Sequence, residues 1–207
     1  MKKAKIIISL VVIVFFISAA ANAQKIKVTQ GDLSFFKGVT ELNLAYDFSE
    51  MGVGKFKTEE AYIEKKKADM NEDEAGSGDT WETAWHEDKE KTYEPKFEEL
   101  INLVFLSKEV NIQVGEFTNA DYTLILKTTF LEPGYNIGIS RKDATINVEV
   151  AIVETDDQAN VVVLITMDKV PGRGAFGGDF DVEYRIGEAY AKAGKELATY
   201  IWKKSLK

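Results

Sequence analysis

A chain of 207 residues with no cysteine cannot be held by disulfides, and it has no thiol for a nucleophile, a thiolate metal site or an N-terminal lipid thioether. The formal net charge of −8 argues against nucleic acid or a membrane surface as partner, because like charge repels phosphates and anionic headgroups.

Lys2, Lys3 and Lys5 precede an uncharged, mainly apolar run from Ile6 to Ala21, which ends in Ala21-Asn22-Ala23. A charged start, an apolar centre and a small-x-small ending are the parts of a secretory signal, so cleavage is predicted between Ala23 and Gln24. The run falls short of the roughly 20 residues that a membrane-spanning helix needs. Its removal takes away three lysines and no acid, so the charge goes from −8 to −11. The expectation is a periplasmic or secreted protein with residues 24–207 as one domain, no lipid anchor and no transmembrane helix after cleavage.

Residues 24–40 read as an extended lead-in. Leu42, Leu44, Tyr46 and Phe48 alternate with polar residues and predict a half-buried strand. Thr58, followed by Glu59 and Glu60, predicts a helix start, with Ala61, Tyr62, Lys65 and Ala68 at helical spacing. Residues 71–79 read as a polar break, and 80–91 as a second helix. Pro95 suits the first turn of a third helix, whose stripe is Phe97, Leu100, Ile101, Val104 and Phe105.

The second half predicts strands over 121–131, 144–155 and 161–167. They are joined by the turn signal Pro133-Gly134 and a short hairpin loop at 156–160, with a glycine-rich loop at 171–178 after the last. A final helix from about 179 to 204 carries Ile186, Tyr190, Ala193, Leu197 and Ile201 on one side, with the small residues Gly187, Ala191, Gly194 and Ala198 beside them for a close approach to the sheet. The fold class expected is α/β (α+β). It is a two-layer sandwich with a mostly antiparallel sheet of about four strands, helices mainly on one face and the C-terminal helix across the sheet.

Gly172-Arg173-Gly174-Ala175-Phe176-Gly177 matches a dinucleotide fingerprint. It lacks the following strand and its acid, and Asp179 and Asp181 stand where a phosphate would sit, so it reads as a loop. Asn71 to Glu82 can be aligned with a twelve-residue calcium loop through Asn71, Asp73, Asp79 and Glu82, with Gly76 at the sixth position. Ala75 and Gly78 break that pattern, and a plain acidic loop is the simpler reading. His86, the only histidine, lies one turn from Glu82 and from Glu90 but cannot alone build a histidine-rich zinc site, and no G-x-S-x-G accompanies it for a Ser-His-Asp triad. Trp81 and Trp85, at i and i+4, have the spacing of a core pair or of a sugar platform, with the core favoured. No catalytic or cofactor-binding residue is assigned.

Ala120-Asp121-Tyr122-Thr123-Leu124, Ala144 to Glu154 and Ala189 to Leu197 resemble segments of uncharacterised exported proteins of the Gram-negative envelope. The element order is similar to that of TolB-N-terminal and curli-secretion-lipoprotein modules. That resemblance implies action through contacts with another envelope protein and supplies no catalytic residues. The functional expectation is a non-enzymatic protein-interaction or ligand-binding module. The competing expectation is a small periplasmic hydrolase using two carboxylates, possibly carbohydrate-active.

Overall fold

The computed structural model describes residues 24–173 and 180–207; the leader 1–23 and most of the glycine-rich fingerprint lie outside the described residues. Among the described residues nine strands form: β1 (Lys25–Gln30), β2 (Glu41–Asp47), β3 (Gly52–Val53), β4 (Gln113–Gly115), β5 (Tyr122–Glu132), β6 (Tyr135–Asn136), β7 (Arg141–Lys142), β8 (Ala144–Glu154) and β9 (Val161–Gly172). The helices are α1 (Glu59–Asp73), α2 (Ser77–Asp88), α3 (Glu94–Ser107) and α4 (Val182–Ile201).

Seven strands make one sheet in the order β1-β9-β8-β5-β2-β4, with β3 beside β5, and β6 and β7 form a separate ribbon. The expected antiparallel β5-β8-β9 meander is present. The sheet as a whole is mixed rather than mostly antiparallel, and it has seven strands rather than about four. β2 pairs in parallel with both β5 and β4, and β3 in parallel with β5. The reason is the long connection: a chain that leaves β2 and returns through three helices comes back running the same way. The lead-in is also not merely extended. Residues 25–30 form an edge strand on β9, and Asp32 caps a short 3-10 turn by accepting from the Ser34 amide.

Alternation sets the layers. Ile146, Val148, Val150 and Ile152 of β8 are buried while Asn147 and Glu149 are half-buried, so one face of the sheet is covered by helices. α4 packs on β8 and β9, and Ile186, Tyr190, Ala193, Leu197 and Ile201 are all in the core, as the spacing predicts. Its small face does something other than expected. A Cβ on Gly194 would lie 2.4 Å from the Phe97 carbonyl oxygen, so this glycine admits α3, not the sheet. Pro171 and Gly172, read as loop, extend β9 by pairing with Thr145 and Ala144.

The helices also differ in extent. α2 and α3 are not separate: residues 77–107 are continuously helical, with a π turn at Lys89–Tyr93. Pro95 has no N–H to give Lys91, and the Glu94 amide reaches back five residues to the Lys89 carbonyl; the widened turn absorbs the proline without breaking the helix. In α1 the buried residues are Glu59 and Ile63, with Tyr62 half-buried, while Ala61, Lys65 and Ala68 are exposed.

Candidate functional site

The residues singled out in the sequence between 59 and 86 converge on the seam between α1 and α2. The Thr58 hydroxyl caps α1 by accepting from the Ala61 amide at 3.3 Å, and Glu59 and Glu60 occupy the favourable first turn. Hydrogen bonding from its own amide and from Thr58 holds the Glu60 carboxyl below the usual carboxylate range.

Residues 71–79 are not a loop. Asn71 and Asp73 are in the last turn of α1, a tight turn follows, and Asp79 and Glu82 are on α2. Two features close this turn. Gly76 takes φ +87°, a region that favours glycine. The Asn71 Oδ1 accepts from the amides of Gly76 (3.1 Å) and Gly78 (2.8 Å), satisfying donors at the start of α2 from the end of α1. Gly78 also lies against α1, since a Cβ there would be 2.2 Å from the Lys67 carbonyl oxygen.

Three of the four candidate calcium ligands meet around a side chain of the protein itself. Lys67 Nζ donates to Asp79 Oδ1 at 2.8 Å and to Glu82 Oε2 at 2.7 Å, and Asn71 Nδ2 donates to Asp79 Oδ2 at 3.2 Å. The two carboxylates push the Lys67 ammonium above its ordinary range, and Lys67 with Asn71 holds Asp79 below its own. Asp73 is exposed at the end of α1. Among the described residues, no group of three or more His, Asp or Glu side chains is arranged to hold a metal ion.

Above this cluster the two helices enclose a groove of about 530 Å³. Its α1 side is Glu60, Ile63, Glu64, Lys67 and Ala68, residues that recur every three or four positions. Its α2 side is Glu82 and His86. Glu60 and Glu64 are exposed at the rim, and Ile63 is buried beneath. His86 and Glu82 share this face, as their spacing predicts. Glu90 does not; it lines a different cavity with Tyr46 and Glu94, because the π turn rotates it away.

The head of the groove is fixed by a nearly buried ion pair. Glu59 accepts from Trp85 Nε1 at 2.6 Å and from Lys89 Nζ at 2.7 Å. Lys89 Nζ also lies 4.9 Å from the centre of the Phe48 ring. On the inner side of the seam Tyr62 packs edge-on to Trp81 and tilted to Trp85. The tryptophans therefore join α1 to α2: Trp85 is buried and Trp81 is packed against the core. The sequence held no signal for the Glu59–Lys89 pair, whose members are thirty positions apart on different helices.

No family model matches the chain, and no curated protein matches it. Among solved structures it is similar to the PelC dodecamer from Paraburkholderia phytofirmans, at 12% identity over 85% of this chain and 98% of that one, with a TM-score of 0.37. It is also similar to protein XCC0632 from Xanthomonas campestris, at 14% identity over 79% of this chain and 84% of that one, with a TM-score of 0.32. The resemblance to TolB-N-terminal and curli-secretion modules gains no support from these comparisons.

Proposed function

We propose that this chain is an exported, non-enzymatic binding module of the cell envelope, and that its α1–α2 groove receives a cationic segment of a partner protein. The observation that carries the reading is the groove's rim. Glu60 and Glu64 project from one face of α1 over an aliphatic floor, on a chain whose net charge is already −8. A lysine- or arginine-bearing peptide would place its aliphatic stems on Ile63 and Ala68 and its charged heads at the two carboxylates. The carboxylate-dependent hydrolase is less well supported, because Glu59 is engaged by Lys89 and Trp85, and Glu82 by Lys67. Export supplies the setting: the mature protein recovered from cells is expected to begin at Gln24.

The test is calorimetric titration of residues 24–207 with a hexalysine peptide. Saturable binding that weakens with salt and disappears in the double variant Glu60→Lys/Glu64→Lys is expected. Unchanged binding in that variant would remove the groove from the account.

A further inference from the structure

The α1–α2 groove holds the only histidine of the chain, and the capture of a cationic segment at Glu60 and Glu64 leaves that side chain without a role. Its position follows from the register of the two helices. Glu59 of α1 reaches Lys89 of α2, and Lys67 of α1 reaches Glu82 of α2. The helices therefore run antiparallel, and each step forward on one is a step back on the other. His86, three residues before Lys89 and four after Glu82, stands level with Tyr62 and Ile63. Glu60 and Glu64 lie one helical turn apart, on either side of that level, and both line the groove with His86. All three are exposed.

The other charged groups around the imidazole have partners of their own or face elsewhere. On α1, Glu59 accepts from Lys89 and Trp85, and Lys67 donates to Asp79 and Glu82. On α2, Glu87 is paired with Lys91, Glu90 lines a different cavity, and Asp88 is set toward Glu183 and Glu87 rather than into the groove. Glu60 and Glu64 remain, neither of them in an ion pair among the described residues.

These groups differ in where they change charge. The Glu60 carboxyl is held below the usual carboxylate range by its own amide and by Thr58, and the Lys67 ammonium is held above its ordinary range by Asp79 and Glu82. Between about pH 5 and 8 an imidazole is the side chain that gains or loses a charge. Protonated, it sets a positive charge between the two rim carboxylates, where the lysine heads of a partner segment would otherwise sit. Neutral, it leaves both carboxylates open.

We infer that His86 is a proton-operated gate of this groove: the imidazolium pairs with Glu60 and Glu64 and excludes a cationic segment, and the neutral imidazole admits one. This rests on the cationic-segment reading of the groove and adds its regulation. The coupling is reciprocal: a bound segment lowers the affinity of the imidazole for a proton by the same factor as the proton lowers the affinity for the segment.

The test is calorimetric titration of residues 24–207 with hexalysine at about pH 5.5 and at about pH 8. An affinity at least about fivefold higher at the upper pH is expected. The imidazole midpoint, read by NMR from the single histidine, should move down when the peptide is present. His86→Gln, neutral throughout, should bind at both pH values as the wild type does at the upper one. Asp88→Asn should keep the wild-type difference, because Asp88, pushed up to about 6 chiefly by burial, titrates in the same range but outside the groove. Equal wild-type affinity at the two pH values, or a difference that survives in His86→Gln, would overturn the gate and leave the groove standing as a cation site. No hexalysine binding at either pH would overturn gate and groove together.

Discussion

α4 and α1 are both helices of an acidic protein, yet they are held by different physics. α4 presents Ile186, Tyr190, Ala193, Leu197 and Ile201 to the sheet and buries them all. α1 buries only Glu59 and Ile63, and is fixed by the Glu59–Lys89 ion pair, the more exposed pairs of Lys67 with Asp79 and Glu82, an aromatic seam with α2 and the Asn71 side-chain amide. The first attachment is distributed over area; the second is concentrated in a few directional contacts. A distributed attachment is damaged in proportion to the volume removed, whereas a concentrated one fails when a single polar partner goes.

The contrast is tested most strongly at its two centres. Leu197→Ala should cost about 2–5 kcal/mol in a denaturant melt, through lost burial and the cavity left, while Lys195→Ala on the exposed side of the same helix should stay within about 0.5 kcal/mol. Equal effects would mean that α4 is not held by its stripe. Glu59→Ala removes little volume but leaves the Lys89 ammonium and the Trp85 N–H without their acceptor. A loss of roughly 1.5–3 kcal/mol is expected. If Glu59→Ala were neutral, α1 would be held by apolar contact after all.

The stacked pair Tyr93 and Tyr190 sharpens the comparison within one core. Their rings lie 5.2 Å apart and nearly parallel. Tyr190 shares a 2.7 Å hydrogen bond with Thr128, whereas the buried Tyr93 hydroxyl has no hydrogen-bond partner among the described residues. Tyr190→Phe should therefore destabilise by about 1–3 kcal/mol, and Tyr93→Phe should be neutral or stabilising, since it removes a buried polar group that gains nothing. Loss of stability in Tyr93→Phe would show that its hydroxyl finds a partner in solution.

The smallest expected effect is one of pH. Burial, Glu183 and Glu87 push Asp88 up to about 6 from an ordinary value of 3.8. A carboxyl raised on folding is harder to ionise in the folded state than in the unfolded one. Its penalty is full above about pH 6 and is relieved as pH falls toward 4. Asp88→Asn should raise the denaturation midpoint at pH 7 and reduce the gain that the wild type shows on acidification between pH 6 and 4. An identical pH profile in the variant would assign that gain to other groups.

The same contrast explains what could be read from the sequence. The α4 stripe was legible because large apolar residues recur at the helical period, and β5, β8 and β9 because alternation and turn signals bound them. β3 and β4 were not, being two and three residues long, too short for any period. The parallel pairings depend on a crossover that no local pattern records. Residues 71–79 misled because Gly76-Ser77-Gly78 has the composition of a loop, while Gly76 in its left-handed conformation and the Asn71 side chain let two helices meet there. The groove is half legible: the spacing puts His86 and Glu82 on one face, but their facing partners on α1 are set by the turn.

The unbroken path from Ser77 to Ser107 has a mechanical consequence. At 1.5 Å per residue it is a strut of roughly 45 Å, clamped where α3 meets Gly194 and packed on α1 toward the other end, where α2 carries the groove. The π turn widens this beam without jointing it. Load applied at the groove is thus transmitted as torque to the α3–α4 contact, and the place to look for strain when the groove is occupied is the backbone around Phe97, far from the occupant.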